Sequence, residues 1–213
     1  MAKCPKCSTR KAKRSCPALA QMICPVCCAE LRMIELACPE SCSYLQEGRR
    51  STAQRLMPRF VQHLITSDKK ESLEAINRFE TIVFLLERAI VEVQRYQFRD
   101  LSDEEALGGV KNALKTYETL DRGIIYEHAS ESPRVQAVTR AALEALDDVK
   151  KRLQEQQQSS LVKMRDYMAC LDLVRERIQF DLQPGKDSRA WLRHATLYQP
   201  YPEQETQRLI VTG

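Results

Sequence analysis

Eight of the nine cysteines in this 213-residue chain fall within its first 42 residues, at Cys4, Cys7, Cys16, Cys24, Cys27, Cys28, Cys38 and Cys42. A closed structural zinc site takes four ligands in a tetrahedron, so eight cysteines predict two structural zinc ions in one small module. Two tight turns, Cys4-Pro5-Lys6-Cys7 and Cys24-Pro25-Val26-Cys27, each present two thiolates to one ion. Full thiolate ligation leaves no position for a reactive water, which argues against catalysis by these ions.

The module, residues 1–48, is near the size below which metals or disulfides replace a hydrophobic core. Disulfides are disfavoured, because the lysine- and arginine-rich Met1–Arg14 segment lacks the apolar run of a secretory signal. That absence predicts a reducing, cytoplasmic setting, where clustered cysteines bind metal. Iron–sulfur clusters also take four cysteines, but eight so closely spaced, with two Cys-Pro-x-Cys turns, fit compact zinc modules better.

Two ligand pairings satisfy the spacing. Cys38 and Cys42 offer a third pair, followed at Ser43-Tyr44-Leu45-Gln46 by the start of a helix. A knuckle followed by ligands at a helix start is the treble-clef arrangement. It favours Cys24, Cys27, Cys38 and Cys42 around one zinc, with Cys4, Cys7, Cys16 and Cys28 around the other. In the alternative the two knuckles share one zinc, and Cys16, Cys28, Cys38 and Cys42 share the second. Adjacent Cys27 and Cys28 point to opposite sides of an extended segment and so serve different ions in either scheme. The eight-ligand pattern resembles the two-zinc fingers of the MYND and HIT class over about 45 residues. That resemblance implies recognition of a protein partner.

Charge is uneven. Residues 1–50 carry nine Lys/Arg against four acids, a balance of +5, and the rest carries 24 against 25, a balance of −1. Arg10, Lys11, Lys13 and Arg14 lie between Cys7 and Cys16 and could contact phosphates. They equally offset the negative charge of two four-thiolate sites, and no aromatic residue for base stacking precedes Tyr44. Nucleic acid is therefore the alternative partner rather than the leading one.

The rest of the chain reads as helical. Only Pro58 and Pro133 interrupt residues 51–183, and proline breaks helices elsewhere. Apolar spacing predicts a first helix over 51–66, a strongly buried one over 69–98, and a third running from the Ser102/Glu105 capping box to about His128 with Ile124 inward. Ser132 and Pro133 start a further stripe that keeps phase to Ile178, as one long helix or as two with a break at 156–160. The expectation is a mainly α protein: a two-zinc module (1–48), a helical bundle or coiled-coil hairpin (49–183), and an extended tail (184–213) docking Trp191, Tyr198 and Tyr201. Long apolar stripes suggest a homo-oligomer. The longest apolar run, Ile82–Leu86, is too short to span a membrane. Cys170 reads as a small core residue. No catalytic motif is visible, and His63, His128 and His194 are scattered. The expected function is a non-enzymatic zinc-binding scaffold or adaptor for a protein partner.

Overall fold

A computed structural model describes residues 2–182 and 187–199. The cysteine-rich segment contains a two-stranded antiparallel hairpin, β1 (Arg14–Cys16) and β2 (Gln21–Ile23), and a short helix, α1 (Pro25–Leu31). Seven helices follow: α2 (Ser43–Thr66), α3 (Lys70–Arg78), α4 (Glu80–Tyr96), α5 (Asp103–Asp121), α6 (Pro133–Glu155), α7 (Met164–Asp181) and α8 (Ala190–Tyr198). The protein is therefore mainly α, as the apolar periodicity predicts.

The boundaries follow local chemistry. At α5, the Ser102 hydroxyl accepts from the Glu105 N–H at 3.2 Å while the Glu105 carboxylate accepts from the Ser102 N–H at 2.9 Å, a closed capping box. Helix α5 ends at Asp121, short of the expected His128. Gly123, at φ +79°, donates to the Leu120 carbonyl, and Ile124 donates to that of Thr119, the two bonds of a Schellman ending. Ile124, expected inward, is therefore exposed. Ser132 caps α6 with Pro133 in the first turn. The long stripe from 133 to 181 divides into α6 and α7. Gln157 adopts a left-handed φ of 56°, and the 159–161 segment forms a single 3-10 turn. A single coiled-coil arm is thereby ruled out, and the two halves fold into one bundle.

Two other expectations change. The helix placed at 69–98 is broken at Phe79 (φ −127°, ψ 29°) into α3 and α4. The helix expected to start at Ser51 starts at Ser43 and runs through Pro58 without interruption, so the cysteine-rich segment and the bundle share one helix across residue 48. The tail is also not wholly extended: residues 190–198 form α8, which buries Trp191 and Leu192. The remaining tail positions, among them Tyr201, lie outside the described residues.

Helices α4, α5, α6 and α7 enclose one core around Leu86, Ile90, Leu146, Leu171 and Ile178. Cys170, fully buried, belongs to it as expected. The apolar stripes that suggested self-association thus face each other within one chain.

Helices α5 and α6 approach closely at Gly109, where an added Cβ would lie 2.4 Å from a Val138 methyl and 3.0 Å from the Thr139 backbone nitrogen of α6. Gly109→Ala should lower stability by about 1–3 kcal/mol, the usual cost of overpacking. A urea melt would show a lower midpoint at unchanged slope.

Asp103 holds α8 onto α5: its carboxylate accepts from the Trp191 and Leu192 N–H groups at 2.8 and 3.0 Å. Burial pushes this carboxyl up to about 6, against those two donors, which favour its charged form. Asp103→Ala should cost about 1–3 kcal/mol by leaving two buried N–H groups without an acceptor. Because the folded state holds the Asp103 proton more tightly than the unfolded chain, the titration of Asp103 adds stability below pH ~4 that is lost as pH rises through about 6. Thermal melts of wild type and Asp103→Asn across that range measure the difference.

Candidate metal centre

The hairpin decides which cysteines meet. Arg14 pairs with Ile23 in the β1–β2 register, and the Lys13 N–H donates to the Ile23 carbonyl at 2.9 Å. Pairing residue 14 with residue 23 folds the first knuckle back beside the second. The first knuckle is itself a tight turn, in which the Ser8 N–H donates to the Cys4 carbonyl at 2.7 Å and the Cys4 N–H to the Arg10 carbonyl at 2.8 Å. The second knuckle is the start of α1: Cys24 is its N-cap, Pro25 begins it, and the Cys27 N–H donates to the Cys24 thiol at 3.3 Å.

The result is one group, Cys4, Cys7, Cys24 and Cys27, whose sulfurs all lie within 4.8 Å of one another. A zinc ion with Zn–S bonds of about 2.3 Å needs sulfurs roughly 3.8 Å apart, and the Cys7 and Cys24 sulfurs are 4.0 Å apart. All four are free thiols; Cys7 is half-buried and the others are buried. Donor number, softness and spacing fit a tetrahedral metal ion, so this group can hold one.

This group is one of the two sites of the alternative pairing, and it overturns the treble-clef preference, because Cys24 and Cys27 face the first knuckle rather than Cys38 and Cys42. The separation of Cys27 from Cys28 also has a different cause. Both lie on α1, where neighbours diverge by about 100° around the axis, and not on an extended segment.

The electrostatics favour a cation. The Thr9 side chain and the Arg10 and Thr9 backbones pull the Cys7 thiol down to about 5. Burial, then hydrogen bonds with the neighbouring Cys24, Cys7 and Cys4 thiols, pushes Cys27 up to about 12. Four thiolates cannot coexist here without a counter-charge, so a metal ion entering the group must displace protons. The Arg10 guanidinium is pushed up by the Cys24 thiol, with Cys7 adding to it, and is spent in part on the site rather than on outside phosphates.

The other four cysteines gather less tightly. Burial pushes Cys38 up, with the charges of Cys42, Cys16 and Cys28 acting in the same direction, which places these four within electrostatic reach. Cys42 is the N-cap residue of α2, with a thiol free of any capping bond. Arg32 Nη2 donates to the Cys28 sulfur at 3.8 Å, along a path kept open by Gly48 of α2, whose Cβ would collide with that guanidinium. Among the described residues, no second group of ligand-type side chains converges as the first does.

Sequence reasoning missed the residues that seat this segment on the bundle. Arg95, buried near the end of α4, donates to the carbonyls of Met33 (3.3 Å), Thr196 (3.5 Å) and Gln199 (2.7 Å). Arg49 of α2 binds the Glu40 carboxylate and the Leu197 carbonyl, and the Tyr198 hydroxyl donates to the Arg49 carbonyl at 2.9 Å. Met33, Cys42, Leu45 and Leu197 form a small apolar cluster at the same junction. The one available signal was the interruption of the α4 stripe by Glu87, Gln94 and Arg95.

The chain matches no protein-family model, and it has no significant match among curated proteins or solved structures. Cys24→Ser should weaken metal retention by more than roughly tenfold, since changes that merely support a ligand already cost that much. Competition with a chromogenic chelator reads the loss.

Proposed function

We propose that this protein is a non-enzymatic zinc-binding scaffold or adaptor that recognises a protein partner through its N-terminal segment. The observation that carries the reading is the closed Cys4, Cys7, Cys24 and Cys27 group, whose four thiols leave a bound ion no open position for a substrate or water. Zinc is the proposed ion, because knuckles of this kind are its usual structural form. A second zinc is assigned to Cys16, Cys28, Cys38 and Cys42, supported by their mutual electrostatic effect on Cys38. Met22 and Val26, large apolar side chains exposed on the segment, are where a partner would make contact. Self-association belongs to the same proposal.

Nucleic-acid binding is the second reading. Lys3, Lys6, Lys11 and Lys13 are all exposed on the same segment, which favours it. Among the described residues, no helix is long and apolar enough to cross a membrane.

Metal analysis of the purified protein should return two zinc ions per chain, and Cys38→Ser should remove one while Cys24→Ser removes the other. A single ion in the wild type refutes the second site, and iron with visible absorbance refutes zinc. For the partner, a defined protein captured by the wild type but not by Met22→Asp or Val26→Asp supports the adaptor. Salt-sensitive binding to generic DNA or RNA at low salt, lost on replacing the four lysines, would support the second reading instead. Light scattering giving a monomer mass would remove self-association.

A further inference from the structure

Between α2 and the groove formed by α4, α7 and α8 lies a cavity of about 440 Å³. Helix α2 crosses it with little to pack against. Of its 24 residues only Leu45, Phe60 and Leu64 are buried, while Thr52, Ala53, Leu56 and Met57 face the cavity. The walls are aromatic out of proportion to the chain: Phe60, Phe84, Phe180, Trp191 and Tyr198 line it, although aromatic residues make up 6% of the sequence.

The polar lining is biased in sign. Three carboxylates, Glu80, Glu87 and Asp181, share it with one guanidinium, Arg177, and one imidazole, His194. Both basic groups are already engaged. Arg177 Nη1 lies 2.6 Å from Glu87 Oε1, and His194 Nδ1 lies 2.9 Å from Asp181 Oδ2. Glu80 stands exposed in the first turn of α4. With Glu87 set against Arg177 and Asp181 against His194, Glu80 is the carboxylate left over, and an anion entering this space would meet its charge with both basic groups occupied. A cation would meet that excess charge together with the negative faces of the rings, which attract ammonium groups. Partial enclosure strengthens such attraction relative to water.

We propose that this cavity binds a small organic ammonium ion, a single positive amine carried on an apolar body. The volume suits a compact ligand, and the site is independent of the metal centre.

Trp191 is the only tryptophan in the chain, so its emission reports on the cavity directly. The full-length protein would be titrated with benzyltrimethylammonium, its uncharged isostere neopentylbenzene, and the anion 3-phenylpropionate. The expected result is a saturable emission change, with the ammonium binding at least tenfold tighter than either comparator. Ala53→Phe, which fills the cavity from α2, should abolish it at unchanged helical circular dichroism. Asp181→Asn should weaken binding about threefold or more, and Glu80→Gln, at an exposed position less exposed to folding defects, about twofold. Equal or tighter binding of the isostere or the anion overturns the proposal. So does the absence of any saturable change into the millimolar range, or wild-type affinity in Ala53→Phe or in both carboxylate variants.

Discussion

A segment of some fifty residues cannot remove enough apolar surface from water to fix its own path, and the arrangement of the N-terminal region follows from that shortage. Its interior is largely sulfur: Cys4, Cys16, Cys24, Cys27 and Cys28 are buried together with only Ile23 and Leu36. The convergence of four of its thiols supplies what the missing core does not. The same four thiols sit in unequal surroundings: hydrogen bonds from Thr9 and the Arg10 backbone draw Cys7 down, while burial and its thiol neighbours push Cys27 up. The fold of this region therefore turns on a four-thiol group able to hold a metal ion, with the hairpin determining which thiols meet.

The second support is the bundle. Burying the Arg95 guanidinium is costly unless its donors find acceptors, and the acceptors come from three places at once: the turn after α1, the end of α8, and the residue beyond it. Met33, which offers one of those carbonyls, is itself held at a left-handed φ of 58° with its side chain buried. Arg49 repeats the device between α2, Glu40 and α8. Helix α8 is clasped from the other side by Asp103. Polar groups with carbonyl, carboxylate or N–H partners thus make the joints, while the apolar stripes make the bundle they join.

The helices were legible because periodicity, capping and proline placement are local properties: Ser102 with Glu105, and Ser132 with Pro133, announce their helices within four residues. The breaks were less legible. Phe79 continues the apolar stripe and carries no breaker signal, so only packing separates α3 from α4. Gly123 did carry a signal, that of a left-handed helix ending, which the inward position expected for Ile124 obscured. All eight candidate ligands were visible as residues, but their pairing was not. Spacing along the chain cannot report which knuckle a hairpin folds onto, and the treble-clef preference rested on the helix start at Ser43 without the three-residue strands at 14–16 and 21–23. Arg95 was illegible for a related reason, since its partners lie some sixty and a hundred residues away and are backbone carbonyls that no side-chain pattern encodes.

Helix α2 begins at a cysteine of the N-terminal region and ends against α3 and α7, about 36 Å away at 1.5 Å per residue. Along that length it is anchored mainly at its two ends. A rod held in this way spans the space beneath it without filling it, and its middle, at Thr52, Ala53, Leu56 and Met57, leans over the aromatic walls. The height of that roof is thus fixed by the anchors at either end, Leu45 on one side and Phe60 with Leu64 on the other, rather than by contacts along its middle.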